Sequence, residues 1–121
     1  MKRKNYIYPG VTVINVVDGD TFDAIIKVDV GFGIETALTD RFRVMLFDSP
    51  EIFHPVNDAE LQHGKLAKSF AQYLLIGNPV TIQSYKGEKY GRYLAKITLH
   101  DGRDFAEAMI EKGFQKKKSY L

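Results

Sequence analysis

The chain contains no cysteine, which excludes a disulfide framework, a thiolate zinc site and cysteine catalysis. It also lacks any apolar run long enough to span a bilayer. Its basic opening, Lys2 to Lys4, is not followed by an apolar stretch of signal-peptide length. A soluble, cytoplasmic chain is expected on that basis, although a secreted parent that had lost its signal would read the same way. An excess of one charge is missing too. The 17 Lys and Arg stand against 15 Asp and Glu, a formal charge of +2, which by itself does not mark a nucleic-acid partner. There is no internal repeat and no low-complexity tract. The histidines, His54, His63 and His100, have no zinc-type spacing and are assigned no catalysis.

What is present fits one domain. At 121 residues a chain can bury a single core but not two, and that core is expected over about residues 11–116. The β-branched stretch Val11–Val17 predicts a first strand, and the Asp18-Gly19-Asp20 turn leads into a second over Thr21–Val30. Gly31 to Gly33 and the residues up to Asp40 suggest a bend or an extended hairpin before a third strand, Arg41–Phe47. Leu66, Phe70 and Leu74, with Ala67 and Ala71 beside them, recur at helical spacing and predict an amphipathic helix closed by Gly77, Asn78 and Pro79. Val80–Tyr85 and Arg92–Leu99 read as two more strands. The stretch Asp101–Phe114 predicts a short second helix that stops at Gly113. A helix between the third and fourth of five strands is the order of a Greek-key barrel of the OB type, and that fold class is expected. Function has to be argued from a site.

The site candidates are strand ends. Asp48 and Glu51 follow an apolar strand, Arg43 precedes them, and Asp20 closes the first turn. Phosphodiester hydrolysis calls for this set of groups. A hard cation takes carboxylate and carbonyl oxygens, an attacking water needs an acceptor, and the charge growing on phosphorus needs the planar fork of arginine. Very slow hydrolyses must be accelerated by about 20 kcal/mol. A general base supplies roughly 3–5 kcal/mol of that, so a base alone is insufficient and positioning, charge donors and a metal are all needed.

Four pieces in order, "VVDGDT", "RFRVMLFDSPE", "EKYGR" and "DGRDFAEAMIEKGF", resemble the staphylococcal nuclease (thermonuclease) family, a group of calcium-dependent nucleases on an OB-fold. The resemblance implies that Asp20 and Asp48 ligate Ca2+ with the Ser49 carbonyl, that Glu51 acts on the attacking water, and that Arg43 and Arg92 clamp the phosphate. It also implies that Lys89 and Tyr90 contact the nucleotide. The implied activity is cleavage of single-stranded or accessible DNA and RNA with low sequence specificity, leaving 3′-phosphates. Four departures stand out. Ser49 replaces the usual threonine, the stretch between Asp20 and Arg43 is longer, the loop before Tyr90 is shorter, and no counterpart of the family's third, C-terminal helix is expected within these residues. Base-stacking tyrosines near the end have no clean match, Tyr120 lying one position away.

Blander readings stand beside these. Asp18 reads as a turn residue rather than a ligand, Arg43 and Arg92 could form structural ion pairs, and Tyr85 and Tyr93 read as sheet or rim packing. Phe70, Leu74, Phe105 and Met109 read as core, and Lys116–Lys118 as a solvated tail, with contact to backbone phosphates as the alternative. The alternative function is an OB-fold nucleic-acid-binding module without strong catalysis, completed by a partner or by dimerisation. A monomer is otherwise expected.

Overall fold

In the computed structural model, which describes residues 6–85 and 93–121, five strands close into a barrel. The strands are β1 (Tyr6–Asp18), β2 (Thr21–Asp29), β3 (Glu35–Val44), β4 (Val80–Tyr85) and β5 (Tyr93–Thr98), and the helices are α1 (Asp58–Leu75) and α2 (Phe105–Glu111). Around the barrel the order is β1, β2, β3, β5, β4. All neighbours are antiparallel except β3 and β5, which run parallel. With α1 lying between β3 and β4 in sequence, this is the expected OB-type barrel.

Closure depends on β1, whose first half pairs with β4 and whose second half pairs with β2. The switch falls at Pro9 and Gly10, where the register shifts between Tyr8 and Val11 and Gly10 adopts a positive φ of 64°. A bulge of this kind turns a strand between two partners. Past it, Val11, Val13 and Val16 face inward and meet Phe22, Ala24 and Ile26 of β2, Phe42 and Val44 of β3, Ile82 of β4 and Ala95 and Ile97 of β5. The alternation of inward apolar and outward polar residues is the period-2 pattern of a one-sided sheet. One end of the barrel is plugged by Ala67, Ala71, Leu74 and Leu75 of α1, with Phe105 and Met109 of α2 in the same core. Phe70 packs on the edge of that core, and Leu66, despite its place in the helical repeat, is exposed.

The third strand differs from its expected span. It begins at Glu35 and ends at Val44, not Arg41–Phe47. Residues 31–40 form an extended hairpin, with β2 and β3 pairing continuously from Thr21↔Arg43 out to Asp29↔Glu35. The strand stops early because Met45 and Leu46 turn, Leu46 with a φ of 65°, which returns Phe47 to the core. That turn sets the direction of the segment Asp48–Glu51.

Both helices start at side-chain caps. Asn57 accepts from the Glu60 N–H at 3.0 Å and Asp104 from the Glu107 N–H at 3.0 Å, each satisfying a donor that the helix leaves open. Among the described residues, no helix is long and apolar enough to cross a membrane.

Candidate active site

Two turns at one end of the barrel meet: Asp18–Asp20 between β1 and β2, and Asp48–Glu51 after β3. Asp20, only 8% exposed, is the link between them. Its Oδ2 accepts from the Ser49 N–H at 2.8 Å and its Oδ1 from the Thr21 hydroxyl at 3.0 Å. Its carbonyl accepts from the Val44 N–H at 2.8 Å. Arg43 rises from the end of β3, donates to the Val44 carbonyl at 2.8 Å, reaches Asp20 Oδ2 at 3.4 Å, and also pairs with Asp48 Oδ1. Asp18 stays behind this group as a turn residue, its Oδ1 accepting from the Asp20 N–H at 3.0 Å. Burial, compounded by the neighbouring Asp20 carboxyl, pushes the Asp18 carboxyl up to about 7.

The turns touch so closely that glycine is required at Gly19. A Cβ there would lie 2.3 Å from Ser49 Oγ and 2.9 Å from Ser49 Cβ. On the other side, a Cβ on Gly64 of α1 would meet the Pro50 carbonyl at 2.8 Å and the Glu51 carbonyl at 3.1 Å. The loop carrying Asp48, Ser49 and Glu51 is thus wedged between a β-turn and a helix.

Glu60, fully buried on α1, fastens that loop from beneath. Its Oε2 accepts from the Glu51 N–H at 3.1 Å and its Oε1 from the Val56 N–H at 2.9 Å, and Lys116 Nζ lies 3.4 Å away. The Val56 N–H above all, then the Glu51 N–H and the charge of Lys116, hold the Glu60 carboxyl below the usual carboxylate range. Sequence reasoning missed Glu60. The spacing Asn57-x-x-Glu60 is a capping-box signature that could have drawn attention to it, although here the glutamate reaches past the cap to the site loop.

A strap after α2 forms the remaining wall. The Lys116 N–H donates to the Asp48 carbonyl at 2.8 Å, and Gln115 Oε1 accepts from the Asp48 N–H at 3.3 Å. Farther along, Tyr120 is anchored by His63 at 2.8 Å and by Asn57, whose Nδ2 donates to the Tyr120 carbonyl at 3.0 Å. His63 also bonds the Gly113 carbonyl at 2.8 Å, so it ties both ends of the strap to α1. Tyr120 packs its ring on His63 rather than standing at the cleft. The lysines expected as a solvated tail are exposed, but their backbone is held by the strap and Lys116, Lys117 and Lys118 all line the cleft.

The cleft has a volume of about 310 Å3, and Asp20, Arg43, Asp48, Ser49 and Glu51 line it together. Every sequence-predicted site residue within the described segments is therefore in one place. Arg92, Lys89 and Tyr90 lie outside the described residues. Among the described residues, no three His, Cys, Asp or Glu side chains form a ready metal cage. The oxygen groups on hand are the carboxylates of Asp20, Asp48 and Glu51 and the Ser49 backbone. Tyr85 ends β4, part-buried as rim packing requires.

The chain is thus a closed OB-type barrel with carboxylates and a guanidinium gathered at one rim. Residues 41–120 match the family model described as Staphylococcal nuclease homologue, and the chain belongs to that family. It is 24% identical over 101 residues to a protein of Escherichia coli named an uncharacterized endonuclease, and to the same degree to one of Escherichia coli O157:H7. Each match covers 84% of this chain and 56% of the relative, so the chain spans little more than half the length of those relatives.

Proposed function

We propose that this chain is a calcium-dependent nuclease domain that hydrolyses phosphodiester bonds of single-stranded or accessible DNA and RNA with little sequence specificity. The observation that carries the reading is the convergence of Asp20, Arg43, Asp48, Ser49 and Glu51 on one cleft from separate turns. The family and the endonuclease names of the relatives support it.

The donor chemistry fits a calcium ion: carboxylates of Asp20 and Asp48 and the carbonyl of Ser49 are hard oxygen ligands, with no thiolate or imidazole among them. When bound, the ion neutralises charge on the phosphate and polarises it toward attack. The protein's own groups do the rest. Glu51, held by its backbone to Glu60, takes the proton of the attacking water as the new oxygen–phosphorus bond forms and the bond from phosphorus to the 5′ oxygen breaks. The leaving oxygen takes a proton from solvent or, by family resemblance, from Arg92. Arg43, already at the cleft between two carboxylates, offers its fork to the equatorial phosphate oxygens as charge builds there. Arg92 is assigned the second clamp, and Lys89 and Tyr90 the nucleotide contacts, by family resemblance.

The test is cleavage of single-stranded DNA by purified protein, with calcium and then with excess chelator. Calcium-dependent cutting that Arg43→Ala abolishes is expected. Folded protein that leaves the strand intact at millimolar-scale calcium would overturn the nuclease reading in favour of a binding module.

A further inference from the structure

We infer that Lys117 and Lys118 form a subsite for the phosphates of a single nucleic-acid strand, alongside the position where the bond is cut. The inference rests on the nuclease reading of the cleft and assigns to it a polyanionic substrate rather than a small phosphodiester.

Charge makes the strap necessary. Without it the cleft presents the carboxylates of Asp20, Asp48 and Glu51 against Arg43 alone, a lining that repels a phosphate chain. The strap adds Lys116, Lys117 and Lys118 to the same lining, and the repulsion is offset. The lysines are not equivalent. The ammonium of Lys116 is engaged with the buried Glu60 carboxylate at 3.4 Å, so its charge is spent on fastening the loop. Lys117 and Lys118 are exposed, and the Lys117 ammonium stands 5.9 Å from the centre of the Tyr120 ring, a contact that steers the chain without neutralising it.

A flexible lysine run on a loose tail would contribute only diffuse charge, but this run is held in place. The Lys116 N–H is bonded to the Asp48 carbonyl at 2.8 Å and the Lys117 N–H to the Tyr120 hydroxyl at 3.1 Å. Tyr120 is in turn held by His63 and Asn57 of the α1 region. The backbone carrying both free ammonium groups is therefore fixed to the metal-site turn itself. Lysine suits the task, because a compact charge on a mobile stem grips backbone phosphates without reading bases.

The experiment measures binding of a fluorescent single-stranded oligonucleotide by anisotropy, in chelator so that the strand is not cut, over a series of salt concentrations. Each phosphate contact to a single strand contributes about 0.7 to the slope of log affinity against log salt. Lys117→Ala/Lys118→Ala should flatten the slope by about 1.4 and weaken binding roughly tenfold at low salt. Lys117→Arg/Lys118→Arg should keep the slope. A control pair of equal charge loss, Lys27→Ala/Lys65→Ala, removes exposed lysines outside the cleft and should leave the slope close to that of the wild type. A change no greater than the control's, or wild-type protein that does not bind, would overturn the inference whether or not the protein cuts. Lysine-dependent binding by a protein that fails to cut with calcium would uphold this subsite and sink only the nuclease reading.

Discussion

Glu51 and Asp20 sit in the same cleft, and the proposed function gives them different work that substitutions should separate. Asp20 is nearly buried and its two oxygens accept from Thr21 and Ser49; on the proposed reading Asp20→Ala removes a calcium ligand and is expected to weaken calcium affinity at least tenfold by titration calorimetry. Glu51→Gln keeps size and, on the same reading, removes only the proton acceptor. It should cut turnover by about a hundredfold or more while calcium affinity stays near that of the wild type. Should the two variants lose calcium binding equally, the division of labour is wrong. Glu60 acts through others: it holds the Glu51 and Val56 N–H groups and Lys116. Glu60→Gln puts an amide donor against backbone donors and is expected to cost about 1–3 kcal/mol in denaturant unfolding.

The helix α1 and the β2–β3 hairpin make opposite predictions at the scale of elements. In α1, Gly64→Ala would raise helix propensity by about 1 kcal/mol. The new Cβ would also press on the Pro50 carbonyl at 2.8 Å, and overpacking of this kind costs about 1–3 kcal/mol. The clash wins because its partner is backbone, which cannot rotate away. A net loss of stability is therefore expected, together with slower cleavage as the Glu51 loop shifts. The outer hairpin, in contrast, has little to lose. Beyond Ile26 and the half-buried Val28, its residues are exposed, Phe32 at the tip completely so. Replacing residues 29–35 by Asn-Gly, so that the pair Val28↔Thr36 is closed by a tight turn, should move the thermal midpoint by less than about 5 °C.

At the scale of the whole molecule, acid should unfold the barrel by way of Glu60. Its folded-state pKa lies below the ordinary value of 4.5, so its contribution to stability is complete above that pH and is lost as pH falls through the depressed folded value. Asp23 is likewise held low, chiefly by the Arg41 side chain, and Asp101 by the Arg103 N–H and then its side chain. Their partners are mostly exposed and screened, so they add little. Asp18, raised to about 7, acts in the opposite sense and adds stability as it protonates below that value, so urea unfolding from pH 7 down to pH 3 should show its steep loss only below about pH 4.5. Glu60→Gln should start lower and lose less over the same range. Parallel curves for the two proteins would refute this account.

Much of this was legible from residue types and spacing alone. Apolar alternation, turn residues and one helical repeat determined five strands, two helices and their order, because strands and helices bury their faces with periods that a sequence displays directly. That Asp20, Arg43, Asp48 and Glu51 stand at strand ends and turns was also readable, Ser49 was added by family resemblance, and the structure brings all five to one cleft. Only the tertiary structure decided that β3 starts at Glu35, that the lysines wall the cleft, and that Glu60, His63 and Tyr120 bind the strap to the site loop. These depend on which backbone groups are left without partners once the barrel has closed. A buried carboxylate or a paired ring finds its donors across fifty or more residues, as Glu60 does with Lys116 and His63 with Tyr120, and no local pattern records a distance that only closure creates.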